Sequence, residues 1–193
     1  MTHGMDRLRR EMTDFFQKLY VEEQKILVFG EGRCPSRVAL VGEAPGEQET
    51  LQGRPFVGRA GKNLDEFLAL SGIRREDVYI TNAVKFRPVR TSPAGNLVNR
   101  APSQEEIRLC LPFLRHELAL VKPEVIVTLG NVPLRALAGR QAVIGEAHGR
   151  WLEWEGAKLY PLYHPASVIY NRSLRPAYEA DVIRLGEALR GKK

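Results

Sequence analysis

The sequence predicts an α/β fold in three layers, α/β/α, with a central, mostly parallel four-stranded sheet. Three observations carry that expectation. Residues 38–41, 78–82, 125–129 and 159–163 are short, continuous apolar runs, as expected of strands buried on both faces of a parallel sheet. Between them lie stretches with apolar residues at three- and four-residue steps, which is helical periodicity. Most of the runs give way to turns rich in Gly or Pro, and open α/β sheets gather their ligands at the carboxyl ends of their strands.

Taken in order, residues 5–20 place Met5, Leu8, Met12, Phe15, Phe16 and Leu19 on one stripe of an amphipathic helix that should dock on the core. Leu64, Phe67 and Leu68 line a second helix. Ile107, Cys110, Leu111, Leu114 and Leu118 line a third, opened by a capping box of Ser103 and Glu106 and expected to bend at Pro112. A hairpin is expected over 151–160 around Glu155 and Gly156. A last helix over 176–189 should bury Tyr178, Val182, Leu185 and Leu189. Residues 87–102, rich in Pro, Gly and Asn, read as a mobile loop. The whole is expected to be a single domain, 1–193, with residues 1–25 as its N-terminal helical segment.

Composition narrows the function classes. Apolar residues make up 44% of the 193 residues, enough for one core, and no apolar run approaches the ~18 residues of a membrane span. The first twenty residues interleave Asp6, Arg7, Arg9, Arg10, Glu11 and Asp14 with the apolar positions, unlike a secretory leader. A cytoplasmic monomer with no membrane partner is expected. Two cysteines, Cys34 and Cys110, do not make a disulfide framework and read as reduced thiols. The net charge of +6 suits a polyanion. Arg54, Arg59, Lys62, Lys85, Arg87, Arg90, Arg100, Arg172 and Arg175 fall within or just after the turn-rich segments rather than along helices.

Four segments carry the chemistry: VALVGEAPGEQE (38–49), GRPFVGRAG (53–61), VYITNAVKFRP (78–88) and LYPLYHPAS (159–167). The first is a tight turn whose backbone can approach a ligand closely. It is no phosphate loop, because GxGxxG is absent and Lys62 of GRAGKN lacks the upstream Gly and the following Ser or Thr of such a loop. Phe56 offers a ring on which a base can stack. Asn82 ends a strand with an amide able to donate and accept at once. His164 precedes Pro165, which holds its backbone extended, and its imidazole can donate to an oxygen that becomes anionic as a bond breaks. His3 and His116 read as surface residues, and the sequence leaves His148 undecided.

Taken together, GEAPGE, GRPFVGRAG, ITNAVK and HPAS resemble the ordered motifs of the uracil-DNA glycosylase superfamily, most closely its family 4, over about residues 28–185. The resemblance implies the glycosylase fold and hydrolysis of the bond between uracil, or a related deaminated base, and deoxyribose in DNA, with the base flipped from the duplex. It assigns Glu43 and Ala44 to the first active-site turn, Glu49 to an acidic position supporting it, Phe56 to stacking, Asn82 to the uracil edge and His164 to the uracil oxygen. Arg59, Lys62, Lys85, Arg87, Arg172 and Arg175 are expected on DNA phosphates. The segment with Ile169, Tyr170, Arg172, Leu174 and Arg175 is similar to the loop that wedges into the gap left by the flipped base.

Three departures qualify the resemblance. Family 4 ordinarily holds a four-iron cluster on four cysteines, a pair near the N-terminus, one where Phe86 stands and one matching Cys110. Only Cys110 remains, so no cluster, no metal and no other cofactor is expected, with apolar packing in its place. The superfamily's best-known branch has Asp at the Ala44 position and Tyr at the Gly46 position, which leaves Glu43 and Glu49 as candidates for the water-activating group. The loop over 89–99 is longer than in ordinary family-4 members and lacks the His that forms a covalent adduct in the uracil-crosslinking branch. An inactive or weakly active DNA-binding relative is the competing reading. A nucleotide-binding domain unrelated to DNA is disfavoured by the missing phosphate motifs.

Overall fold

The architecture is that of a computed structural model, which describes residues 3–191. The ends of the expected 1–193 domain, residues 1–2 and 192–193, lie outside them. In chain order the elements are α1 (His3–Leu19), β1 (Glu31–Gly32), β2 (Val38–Gly42), α2 (Glu47–Gln52), α3 (Arg59–Ser71) and β3 (Tyr79–Asn82). There follow β4 (Val89–Thr91), β5 (Leu97–Asn99), α4 (Gln104–Val121), β6 (Val125–Leu129), α5 (Asn131–Ala138) and α6 (Ile144–Ala147). The chain closes with β7 (Leu152–Trp154), β8 (Ala157–Leu162), α7 (Pro165–Tyr170) and α8 (Arg175–Arg190).

The main sheet has the order β1-β3-β2-β6-β8-β7. Its four inner strands are parallel, and the two edges pair antiparallel. The expected four-stranded sheet is therefore widened to six. The first arm of the expected hairpin becomes the β7 edge. The other edge, β1, is a two-residue strand too short to show a period.

Alternation along the inner strands divides the core in two. Val38, Leu40, Val125, Val127, Tyr160 and Leu162 face one way and meet Leu64, Phe67 and Leu68 of α3 and Tyr178, Val182 and Leu185 of α8. Ala39, Val41, Ile126 and Leu159 face the other and meet Met5 and Leu8 of α1, Leu114 and Leu118 of α4 and Leu134 of α5. This is the three-layer arrangement. Helix α4 opens on the expected capping box, with Ser103 Oγ accepting from the Glu106 N–H at 3.1 Å and Glu106 Oε2 accepting from the Ser103 N–H at 2.7 Å. It remains one helix through Pro112.

The segment over 87–102 is a correction. It holds the β4–β5 hairpin, turned at Ser92 and Gly95, whose φ of 81° needs a glycine, and its base is held by Arg100 forking onto Glu106 at 2.7 Å through both nitrogens. Its strands are three residues each, too short for periodicity to register.

Met12 and Phe16 of α1 pack with Val84, Phe86 and Cys110 in a separate apolar cluster, where the Phe86 ring lies 5.4 Å from that of Phe16 and 5.7 Å from that of Tyr20. Burial pushes the Cys110 thiol up to about 11. Because Phe86 is only 1% exposed, Phe86→Asp should place a carboxylate in that cluster and cost about 3 kcal/mol or more. Urea denaturation measures this, and an unchanged midpoint would contradict the packing.

Candidate active site

A cavity of about 300 Å³ opens at the carboxyl ends of β2, β3 and β8. Its lining includes Ala44, Glu49, Phe56, Arg59, Asn82 and His164, so the three segments expected to supply stacking, amide and imidazole groups do converge. A larger groove, about 490 Å³ between α3, α7 and α8, carries Arg172 and Arg175 but none of those three groups. The smaller cavity is the one that brings Phe56, Asn82 and His164 together.

Convergence depends on Gly42 at the end of β2. A Cβ there would overlap both Asn82 Oδ1 and the edge of the Phe56 ring. Phe56 has φ of +54°, a left-handed conformation that costs a non-glycine residue free energy and persists only where its surroundings impose it. Here Arg75 donates to the Pro55 and Phe56 carbonyls at 3.1 and 3.2 Å, and Gly61 leaves room for the Phe56 carbonyl.

Glu49 binds the two turns together. Its Oε1 accepts from the Val57 and Gly58 N–H groups at 3.1 and 2.7 Å, and its Oε2 from the Gly46 N–H at 3.1 Å. Three backbone donors on one carboxylate leave it little capacity as a base. Glu43 is different. It is half-buried, its side chain has no hydrogen bond or ion pair among the described residues, and burial raises its carboxyl above the ordinary range. It lies just outside the residues that line the cavity.

Asn82 is 2% exposed, and among the described residues no group bonds its side-chain amide, which faces the cavity. His164 caps α7, its Nδ1 accepting from the Ala166 N–H at 3.1 Å. A ring nitrogen that accepts a backbone N–H bears no proton, so the neutral imidazole carries its hydrogen on Nε2. Burial, opposed by the Glu49 charge, pushes its pKa down to about 4. Its ring lies 6.1 Å from that of Phe56 at 30°.

Two further residues escaped the sequence reading. Asn99, at the end of β5, reaches the cavity from the hairpin, its Oδ1 taken by Arg87 Nε at 2.6 Å and its side-chain NH₂ without a hydrogen-bond acceptor among the described residues. Gly130 lies beneath His164, where a Cβ would come 3.1 Å from the histidine's own Cβ. A glycine ending an apolar run was its only signal.

The basic residues divide. Lys85 is a correction: it is fully buried, bonded to Glu117 and Thr81, and reaches no surface where a phosphate could sit. Arg87 bonds Glu47 and Asn99 at the rim, and Arg175 pairs with Glu179. Among the described residues, Arg59, Lys62 and Arg172 are exposed without an acidic partner. His148, undecided from sequence, bonds Asp181 at 2.6 Å.

The family model described as the uracil DNA glycosylase superfamily matches residues 29–185. A type-4 uracil-DNA glycosylase of Thermotoga maritima is 44% identical over 149 residues, covering 76% of this chain and 73% of its own length. Its counterpart in Saccharolobus solfataricus is 37% identical over 178 residues, covering 88% and 79%. A type-5 uracil-DNA glycosylase of Pyrobaculum aerophilum is 34% identical over 157 residues, covering 72% and 66%. The crystal structure of wild-type Pedobacter heparinus SMUG2 superposes with a TM-score of 0.59 over 99% of this chain and 86% of that one, at 15% identity, a likeness of fold alone.

The His164 environment has a measurable consequence. Its ring should titrate near pH 4 by NMR, and remain neutral above about pH 5. An unfolded His takes up its proton near 6.5, so between about 6.5 and 4 the unfolded chain binds more protons. Stability from this group is complete above that window and falls as pH drops through it. A ring midpoint near 6.5 in the folded protein would overturn the assignment.

Proposed function

The chain belongs to the uracil DNA glycosylase superfamily, and from that premise we propose that it hydrolyses the N-glycosidic bond of uracil, or a related deaminated base, in DNA as a base-excision repair enzyme. The observation that carries the reading is a neutral His164 with a free Nε2–H in the same cavity as the unpartnered amide of Asn82. The flipped base stacks on Phe56. Asn82 donates to O4 and accepts from N3–H, and His164 donates to O2. As the bond from C1′ to N1 breaks, its electron pair goes to the base, and the Nε2–H stabilises the charge that develops on O2. Water then adds to C1′. Glu43, half-buried and unpartnered, takes the water's proton, while Asn99 offers its free N–H groups at the rim and Ala44 forms the wall beside them. Glu49, in this assignment, holds the two turns in register rather than acting on water.

On the DNA side, Arg59, Lys62 and Arg172 hold phosphates, with Arg87 and Arg175 as paired, weaker contributors. Tyr170, 79% exposed at the end of α7, fills the gap left by the flipped base. The residues present do not fit a four-thiolate iron cluster, since Phe86 fills an apolar contact and Cys110 is a buried, protonated thiol. The reaction proposed has no metal or other cofactor. The protein is proposed to be a single-domain cytoplasmic monomer, and among the described residues no helix is long and apolar enough to cross a membrane.

Pure protein incubated with uracil-containing oligonucleotides should yield abasic sites. His164→Ala should slow release by about 10²-fold or more, while binding of an uncleavable uracil duplex persists. Absence of abasic product at stoichiometric protein would replace the enzyme with a binding relative of the same fold.

Affinity for that duplex should fall with salt at a log–log slope of roughly −0.9 per phosphate contacted. Replacing Arg59 and Arg172 with Ala should flatten the slope by about two such steps. A slope near zero in the parent would remove the phosphate-tracking surface.

A further inference from the structure

Lys85 and Glu117 form an ion pair at 2.5 Å with side chains 0% and 3% exposed. Apolar residues of similar volume often match or exceed the stability of such a pair, so stability alone does not account for it. Its connections do. Glu117, on α4, accepts from Tyr79 Oη at 2.8 Å and from Thr81 Oγ1 at 2.9 Å, both on β3. Lys85 Nζ also reaches back four residues to Thr81 Oγ1 at 2.6 Å. The side chain of Lys85 thus closes a ring around the turn that contains Asn82, Ala83 and Val84. The backbone of the same turn is tied outward, with the Ala83 N–H donating to the Gly42 carbonyl at 2.8 Å and the Val84 N–H to the Glu43 carbonyl at 3.0 Å.

We infer that the Lys85–Thr81–Glu117 triad is a positioning device, which fixes the direction of the Asn82 amide and, through the Glu43 carbonyl, ties it to the first turn of the site. Strand β3 ends at Asn82, and beyond it only the Ala83 and Val84 N–H groups tie the turn to the neighbouring segment at Gly42 and Glu43. Among the described residues no group bonds the amide either. Beside the close approach to Gly42, what holds it is the stapled turn, anchored to α4 through Glu117. The inference rests on the glycosylase reading for its catalytic consequence, and on geometry alone for its structural one.

Two variants test it. Thr81→Val keeps the volume and the ion pair but removes the near anchor of the staple. Lys85→Met with Glu117→Gln removes both charges and keeps an acceptor for Tyr79. In the parent, the Asn82 side-chain ¹⁵NH₂ group should be ordered on the nanosecond scale, and in either variant that folds its order parameter should drop to below about 0.6. Single-turnover uracil release should fall by up to about 10²-fold, as for a misplacement of about 1 Å. That loss should vanish when the same change is made in Asn82→Ala, because a device acting through Asn82 has nothing left to act on. An unchanged order parameter in a folded variant, or rate losses that multiply with Asn82→Ala, would overturn the inference. If the parent releases no uracil, the glycosylase reading falls while the amide relaxation still decides the staple.

Discussion

The site rests on one carboxylate. The turns over 43–46 and 53–58 are short, rich in Gly and Pro, and lie outside the strands, so their backbone N–H groups need acceptors from elsewhere. Glu49 supplies them at both turns at once, and a charged acceptor makes each bond stronger than a neutral one would be. With the turns locked together, Phe56 is held in its left-handed conformation, its ring reaches Gly42, and Asn82 meets the same point from the neighbouring strand. The cavity is the space these contacts leave.

A neutral imidazole suits such a space. An imidazolium would bind a carboxylate or phosphate wherever one came near, whereas the neutral ring in this cavity offers a single directed proton. The Ala166 N–H sets the tautomer, burial keeps the second proton off, and Gly130 permits the close approach of the ring's backbone to β6. Each is a local feature, and none requires a ligand to be bound. In the proposed reaction the donor is therefore organised before charge develops on the base, as electrostatic catalysis requires.

Much of this was legible in the chain. Continuous apolar runs betray inner strands, and the Ser103–Glu106 box marks a helix start, because both depend on neighbours in sequence. Phe56, Asn82 and His164 were legible for a similar reason, each at a run's end or in a turn. Lys85 was not. Beside Asn82 it looks like a phosphate ligand, and only tertiary contact with Glu117, one helical step from Leu114 on the buried stripe, takes it inside. Glu49 was legible as a support for the first turn, but not as the tie to the second, since its backbone partners at Val57 and Gly58 lie across a loop. The short strands of the β4–β5 hairpin and of β1 carry too few residues for any period to show, and Asn99 came into the site with that hairpin.

The flanks of the main sheet have a further consequence. Strands left open at a sheet's margin are templates on which another copy can pair, and long flat margins invite polymerisation. Here one margin is a strand of two residues, whose Glu31 is engaged by Arg54 and Arg75, and the other is a strand of three residues beside the Glu153–Lys158 pair. Neither offers a run of free backbone long enough to recruit a neighbour. Copies of the chain brought close together therefore find no long strand edge on which to pair.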